Sequence, residues 1–138
     1  MEFKDLAAIA GKPGLYRIIK PTRASVIVET LDAKKSKLVV NASQRISVLD
    51  EISIYTNTAE GSEPLKNIFR TIYQEFGVDT DLEKDATNAE LMSFFKSVLP
   101  EYDQDKVYPS DIKKVVRWYH LLLDHAPHLV KGSSDEEE

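Results

Sequence analysis

Apolar residues recur along this chain in two different rhythms, and the change falls near residue 57. Before it, short runs rich in β-branched and aromatic residues are broken by Gly, Pro and charged clusters, which is the pattern of short strands. These runs cover residues 15–20, 24–30, 37–41, 44–47 and 52–56, with one helical turn expected at 48–51. Ile52-Ser53-Ile54-Tyr55-Thr56 alternates cleanly with period two. Ahead of the strands, Phe3, Leu6, Ala7 and Ile9 have the spacing of a helical turn or two, stopped by Gly11 and Lys12-Pro13-Gly14. Five short strands with a helical turn before the last predict a small SH3-like β-barrel over residues 1–57. Its expected core is Ile18, Val26, Val28, Val40, Ile46, Ile52 and Ile54. Closure would leave no exposed sheet edge to aggregate.

After a polar linker at 58–63 the apolar spacing becomes three and four, the period of an amphipathic helix. Leu65, Ile68, Phe69, Ile72, Tyr73 and Phe76 make one stripe, opened by Pro64 and ended by Gly77. Thr87-Asn88-Ala89-Glu90 has the form of a capping box, and Leu91, Phe94, Phe95, Val98 and Leu99 follow it up to Pro100. A third stripe starts near Pro109 and runs through Ile112, Val115, Val116, Tyr119 and Leu122. The predicted class is therefore α+β, a small SH3-like β-barrel followed by a three-helix module at 64–126. Residues 127–138, ending in Asp-Glu-Glu-Glu, read as a disordered acidic tail. Each half is too small to be comfortably stable alone, so the two are expected to pack together.

Composition narrows the chemistry more than it suggests any. The chain has no cysteine, which excludes disulfides, thiolate metal sites and a cysteine nucleophile. No apolar run is long enough to span a bilayer and the first residues lack a signal-peptide pattern. A cytoplasmic protein that does not engage membranes is the expectation. Charge is uneven: residues 1–57 carry nine Lys/Arg against six Asp/Glu, and residues 58–138 carry nine against seventeen. The first half is thus net +3 within a chain of net −5.

The candidate sites are weak when their spacing is tested. Asp103-Gln104-Asp105 opens like a calcium loop, but the sixth position is not glycine and the twelfth is Lys114 in place of a glutamate. His120, Asp124, His125 and His128 cluster late in the third helix. His120 and His125 are five apart, roughly 140° round the axis, and Pro127 interrupts the path to His128. Gly11-Lys12-Pro13-Gly14 precedes a strand instead of opening a helix, so it lacks the setting of a phosphate loop. No nucleophile elbow is present. Neither catalysis nor a metal or cofactor is indicated.

What remains is surface recognition. Arg17, Lys20, Arg23, Lys34, Lys35 and Lys37 come from adjoining strands and loops, with Tyr16 and Tyr55 near them in the chain. Cations interleaved with aromatics can bind a partner chain or a nucleic-acid backbone. Trp118 and Tyr119 point about 100° apart on a helix, so burying one leaves the other as a possible anchor. The leading expectation is a non-enzymatic interaction module whose partner is another protein. The alternative is a nucleic-acid or ribosome-associated protein using the basic face, for which an acidic isoelectric point near 5.3 is unfavourable.

Three phrases of the first half carry a resemblance: Ile9-Ala10-Gly11-Lys12-Pro13-Gly14-Leu15-Tyr16, Val28-Glu29-Thr30-Leu31-Asp32, and Leu49-Asp50-Glu51-Ile52-Ser53-Ile54-Tyr55-Thr56. Together with Leu99-Pro100-Glu101-Tyr102-Asp103, Ser110-Asp111-Ile112-Lys113-Lys114 and Trp118-Tyr119, they make the chain similar to an uncharacterised Bacteroidetes-type family of unknown function. In that family a barrel-like domain precedes a helical companion. The resemblance implies a bacterial cytoplasmic protein and carries over no catalytic residue, cofactor or partner.

Overall fold

The computed structural model describes residues 1–41 and 43–132. It is an α+β molecule in which an antiparallel sheet packs on a set of helices. Strands β1 (Leu6–Ile9), β2 (Tyr16–Pro21), β3 (Ser25–Thr30), β4 (Lys37–Asn41) and β5 (Ile46–Val48) form the sheet in the order β4-β3-β2-β1-β5. Four of these are the predicted strands. The fifth is not. Residues 3–9, expected as helix, are a 3-10 turn at Phe3–Asp5 followed by β1. The physical reason is burial on both faces. Leu6 points to the helices while Ile9 joins the sheet's inner cluster, and Ala7 is buried too. A strand paired on both sides and covered on both faces has no polar alternation to mark it.

The predicted last strand of the barrel leaves the sheet. Ser53–Tyr55 forms β6, which pairs with β7 (Ser62–Pro64) in a separate two-stranded ribbon. Residues 62 and 63, expected as linker, are therefore in a strand. Period two identified a strand at 53–55 but could not say which strand it would meet. Among the described residues β4 and β5 are the unpaired ends of the sheet, so the hydrogen-bonded closure expected of a barrel is absent. A bulge between Ile18 and Lys20 shifts the β2–β3 register, a feature that increases local twist. Its inner face gathers Ile9, Tyr16, Val28 and Val40, one from each of β1 to β4, with Ile46 of β5 against them. Of the predicted core, Val28 and Val40 are fully buried, while Ile52 and Ile54 are half-buried and pack on the larger core.

The helices follow their stripes. Helix α1 (Leu65–Phe76) buries Leu65, Ile68, Phe69 and Ile72, and ends at Gly77, whose φ of 62° combined with a ψ of −127° favours glycine. Helix α2 (Asn88–Val98) opens on the predicted capping box: Thr87 Oγ1 accepts from the Glu90 amide at 3.1 Å and Glu90 Oε1 accepts from the Thr87 amide at 2.8 Å. Helix α3 (Pro109–His125) has Asp111 accepting from the Tyr108 amide at 3.0 Å. A fourth helix, α4 (Pro127–Lys131), lies where a disordered tail was expected. Pro127 does stop α3, but it also starts α4 at a position where its missing N–H costs nothing. Leu129 and Val130 are buried, and Arg70 Nε donates to the Leu129 carbonyl at 3.4 Å. The acidic end at 133–138 lies outside the described residues.

One core serves both halves. Phe3, Leu6, Leu15, Leu31 and Leu49 from the strand-rich half are buried in the same cluster as Phe69, Phe95, Ile112, Tyr119 and Leu122. Phe3 stacks on Phe69 with ring centroids 6.1 Å apart, and the Arg70 guanidinium sits over the Phe3 ring at 5.7 Å.

Candidate interaction groove

The six cations predicted to form one face are split by the sheet they stand on. Arg17 is cross-strand from Glu29, and Glu29 from Lys37, so an acid sits between two of the bases. Lys34 and Lys35 lie in the β3–β4 loop. There Asp32 Oδ1 accepts from the Thr30 hydroxyl and from the amides of Lys35 and Lys34, which holds the Asp32 carboxyl below its usual range. Lys20 sits opposite Ile27 near the middle of β3, and Arg23 lies in the turn before that strand, at the end away from Lys34 and Lys35. All six are exposed, but they do not converge.

The three predicted aromatics have different fates. Tyr16 is buried in the sheet's inner cluster and its hydroxyl donates to the Pro13 carbonyl at 3.1 Å, so it is a core residue and offers no surface. Tyr55 is 55% exposed, with the Lys106 ammonium 5.0 Å from its ring centroid. Trp118 and Tyr119 are both buried, at 8% and 0% exposure, which removes the case for Trp118 as a protruding anchor. Tyr119 instead donates its hydroxyl to the Gly77 carbonyl. Burial, with Tyr73 nearby, pushes its pKa up to about 12.

Trp118 has a different surface role. It forms a wall of two adjoining depressions, of about 410 Å³ and 240 Å³, which share Ile52, Lys114 and Trp118. The larger lies between the β1–β2 hairpin and α3. Its walls are Ala8, Ile9, Pro13, Ile52 and Trp118, and its ionisable residues are Lys12, Arg45, Lys114 and Arg117. No acid lines it. Among the described residues no carboxylate comes within ion-pair distance of any of these four cations. The smaller depression leads to Tyr55 and Lys106; its one acid, Asp111, is engaged at the start of α3.

These four cations were missed because three separate segments bring them together. Lys12 is in the hairpin turn, Arg45 precedes β5, and Lys114 and Arg117 are on α3. One signal was available. Lys114 and Trp118 are four apart and share a helix face, with Arg117 beside them.

The remaining sequence candidates are occupied locally. His120 Nε2 is 3.3 Å from the Thr80 hydroxyl, and His128 Nε2 donates to the Met1 carbonyl at 2.7 Å. Asp103 Oδ1 accepts from the Asp105 amide, closing a turn. Among the described residues no set of three or more His, Cys, Asp or Glu is placed to hold a metal ion. A further depression, of about 660 Å³, lies between α3 and residues 82–91. It mixes an apolar wall of Leu82, Leu91 and Leu121 with charges of both signs. No helix among the described residues is long and apolar enough to cross a membrane.

Two family descriptions match this chain: Domain of unknown function (DUF5606) over residues 3–49 and Domain of unknown function (DUF6852) over residues 52–122. The chain belongs to the second of these families, whose match spans more than half of it. The matches meet at the 3-10 turn Leu49–Glu51, so β6 goes with the helices. A solution NMR structure of a protein from Bacteroides vulgatus, a structural-genomics target, is similar at 32% identity. The match covers 94% of this chain and 87% of that one, with a TM-score of 0.67. No curated protein matches. The groove draws Lys12 and Arg45 from the first family segment and Lys114, Arg117 and Trp118 from the second.

Proposed function

We propose that this chain is a non-enzymatic interaction module of the bacterial cytoplasm, which receives a segment of a partner protein in the groove between the β1–β2 hairpin and α3. The observation that carries the reading is the cluster of Lys12, Arg45, Lys114 and Arg117 around an apolar wall containing Trp118, with no ion-pair partner among the described residues. Cations left without carboxylates beside buried apolar surface suit a partner that supplies both complements. The strand order β4-β3-β2-β1-β5 and the shared inner cluster of Ile9, Tyr16, Val28 and Val40 favour treating the sheet as an opened SH3-like barrel. The chain's lack of cysteine agrees with a reducing compartment.

A second reading, association with nucleic acid or the ribosome, rests on Arg17, Lys34, Lys35 and Lys37, exposed toward one end of the sheet. Capture from a native lysate, with and without nuclease, separates the two. Protein partners should survive nuclease and be lost when Lys114 and Arg117 are both changed to Glu. Retention by that double variant rules out the groove. Loss of all partners with nuclease, and of binding when Lys34, Lys35 and Lys37 become Gln, moves the second reading to first place.

A further inference from the structure

Within that reading, on which this step rests, we infer that the segment received by the groove is an acidic peptide, carrying Asp or Glu against the four cations and an apolar residue against Trp118. The argument is one of complementarity. Lys12 reaches the depression from the hairpin, Arg45 from the strand side, and Lys114 and Arg117 from α3, so positive charge enters it from three directions. All four side chains are exposed, and among the described residues none has an ion-pair partner. Like charges held close are unfavourable unless something neutralises them. The chain as a whole is net −5, so this local excess of cations is set against the charge of the molecule.

The same features favour a peptide over a nucleic acid. Trp118 is only 8% exposed and forms a wall, so it presents no open face on which a base could stack. The neighbouring depression continues past Ile54 and Val107 to Tyr55, apolar and aromatic surface that an extended chain with apolar side chains would cover. A phosphate backbone needs a continued track of cations; here Lys106 is the one added base, and Asp111 lies beside it.

Trp118 is the sole tryptophan, so its emission reports on this groove alone. The experiment pans a random twelve-residue peptide library on the full chain and titrates the enriched peptides against Trp118 fluorescence and backbone amide shifts. Enriched sequences should be rich in Asp and Glu around an apolar residue. They should perturb Trp118 and weaken at least tenfold with Lys114→Gln plus Arg117→Gln, and again with Lys12→Gln plus Arg45→Gln. Added salt should weaken them as well. Uncharged or basic peptides that perturb Trp118 and are lost in those variants would overturn the acidic specificity and leave the interaction module standing. No peptide perturbing the groove would overturn both. Tighter binding of a twelve-nucleotide oligothymidine would transfer the site to nucleic acid. If deleting residues 133–138 alone shifts Trp118 emission and the groove amides, the occupant is the chain's own acidic end and no separate partner is needed.

Discussion

The sheet's inner cluster and the core beneath the helices are built on different scales. The first rests on four buried side chains, Ile9, Tyr16, Val28 and Val40, with half-buried neighbours such as Val26 and Leu38. The second combines Phe3, Leu6, Leu15, Leu31 and Leu49 with the inner stripes of α1 to α4, including Phe69, Phe95 and Tyr119. The strand-rich half therefore buries more leucine and phenylalanine against the helices than within its own inner cluster. A sheet whose end strands do not pair has to be stabilised from one face, and here that face is the helical half.

Removing residues 64–138 tests this most severely. Phe3, Leu6, Leu15, Leu31 and Leu49 would lose their cover at about 1.5–3 kcal/mol each. Five such losses approach the roughly 5–15 kcal/mol by which a whole domain is stable. Residues 1–60 alone should give a collapsed, poorly dispersed amide spectrum. A sharp, well-dispersed one would show that the sheet is an independent unit.

Single cavities sharpen the same contrast. Phe69→Ala removes a ring fully buried between Phe3 and Tyr119 and should cost about 3–5 kcal/mol in denaturant unfolding. Val28→Ala in the inner cluster should cost about 2 kcal/mol, from the smaller volume lost. Equal costs would mean that the two clusters share the load evenly.

The smallest of these effects concerns how α3 is tied to the end of α1. Tyr119→Phe leaves the Gly77 carbonyl without its hydroxyl donor and should cost about 1–2 kcal/mol. It also changes the response to alkali. In the fold Tyr119 stays protonated up to about pH 12, whereas an unfolded tyrosine ionises near 10. The unfolded state therefore binds fewer protons in that window, and stability present below about pH 10 falls as pH rises toward 12. Unfolding of the Tyr119→Phe variant should depend less steeply on pH between those limits. An unchanged slope would assign the alkaline loss to another group, such as Tyr102, which desolvation shifts in the same direction.

The surface shows a second contrast. Arg17, Lys20, Arg23, Lys34, Lys35 and Lys37 are close in sequence but spread along β3, with Lys34 and Lys35 beyond one end, Arg23 beyond the other and Lys20 opposite its middle. Lys12, Arg45 and the Lys114–Arg117 pair of α3 are far apart in sequence and meet in one depression. A linear reading favours the first set and has no means of assembling the second. Trp118 was noticed for its chemistry, but its role as a wall depended on where the hairpin and β6 come to rest against α3.

The sequence by itself determined the α+β class, the three long helices with their buried stripes, the Thr87–Glu90 cap and four of the five sheet strands. These depend on contacts within a few residues or on one face's periodicity, which the chain carries locally. Tertiary structure decided the rest. Strand β1 is buried on both faces and so loses its alternation. Strand β6 has the right alternation and a partner outside the sheet. Helix α4 is too short to declare itself and is held by burial of Leu129 and Val130. The groove exists only once the β1–β2 hairpin, the turn before β5 and α3 are side by side, since like charges from separate segments become a site through packing that no single segment encodes.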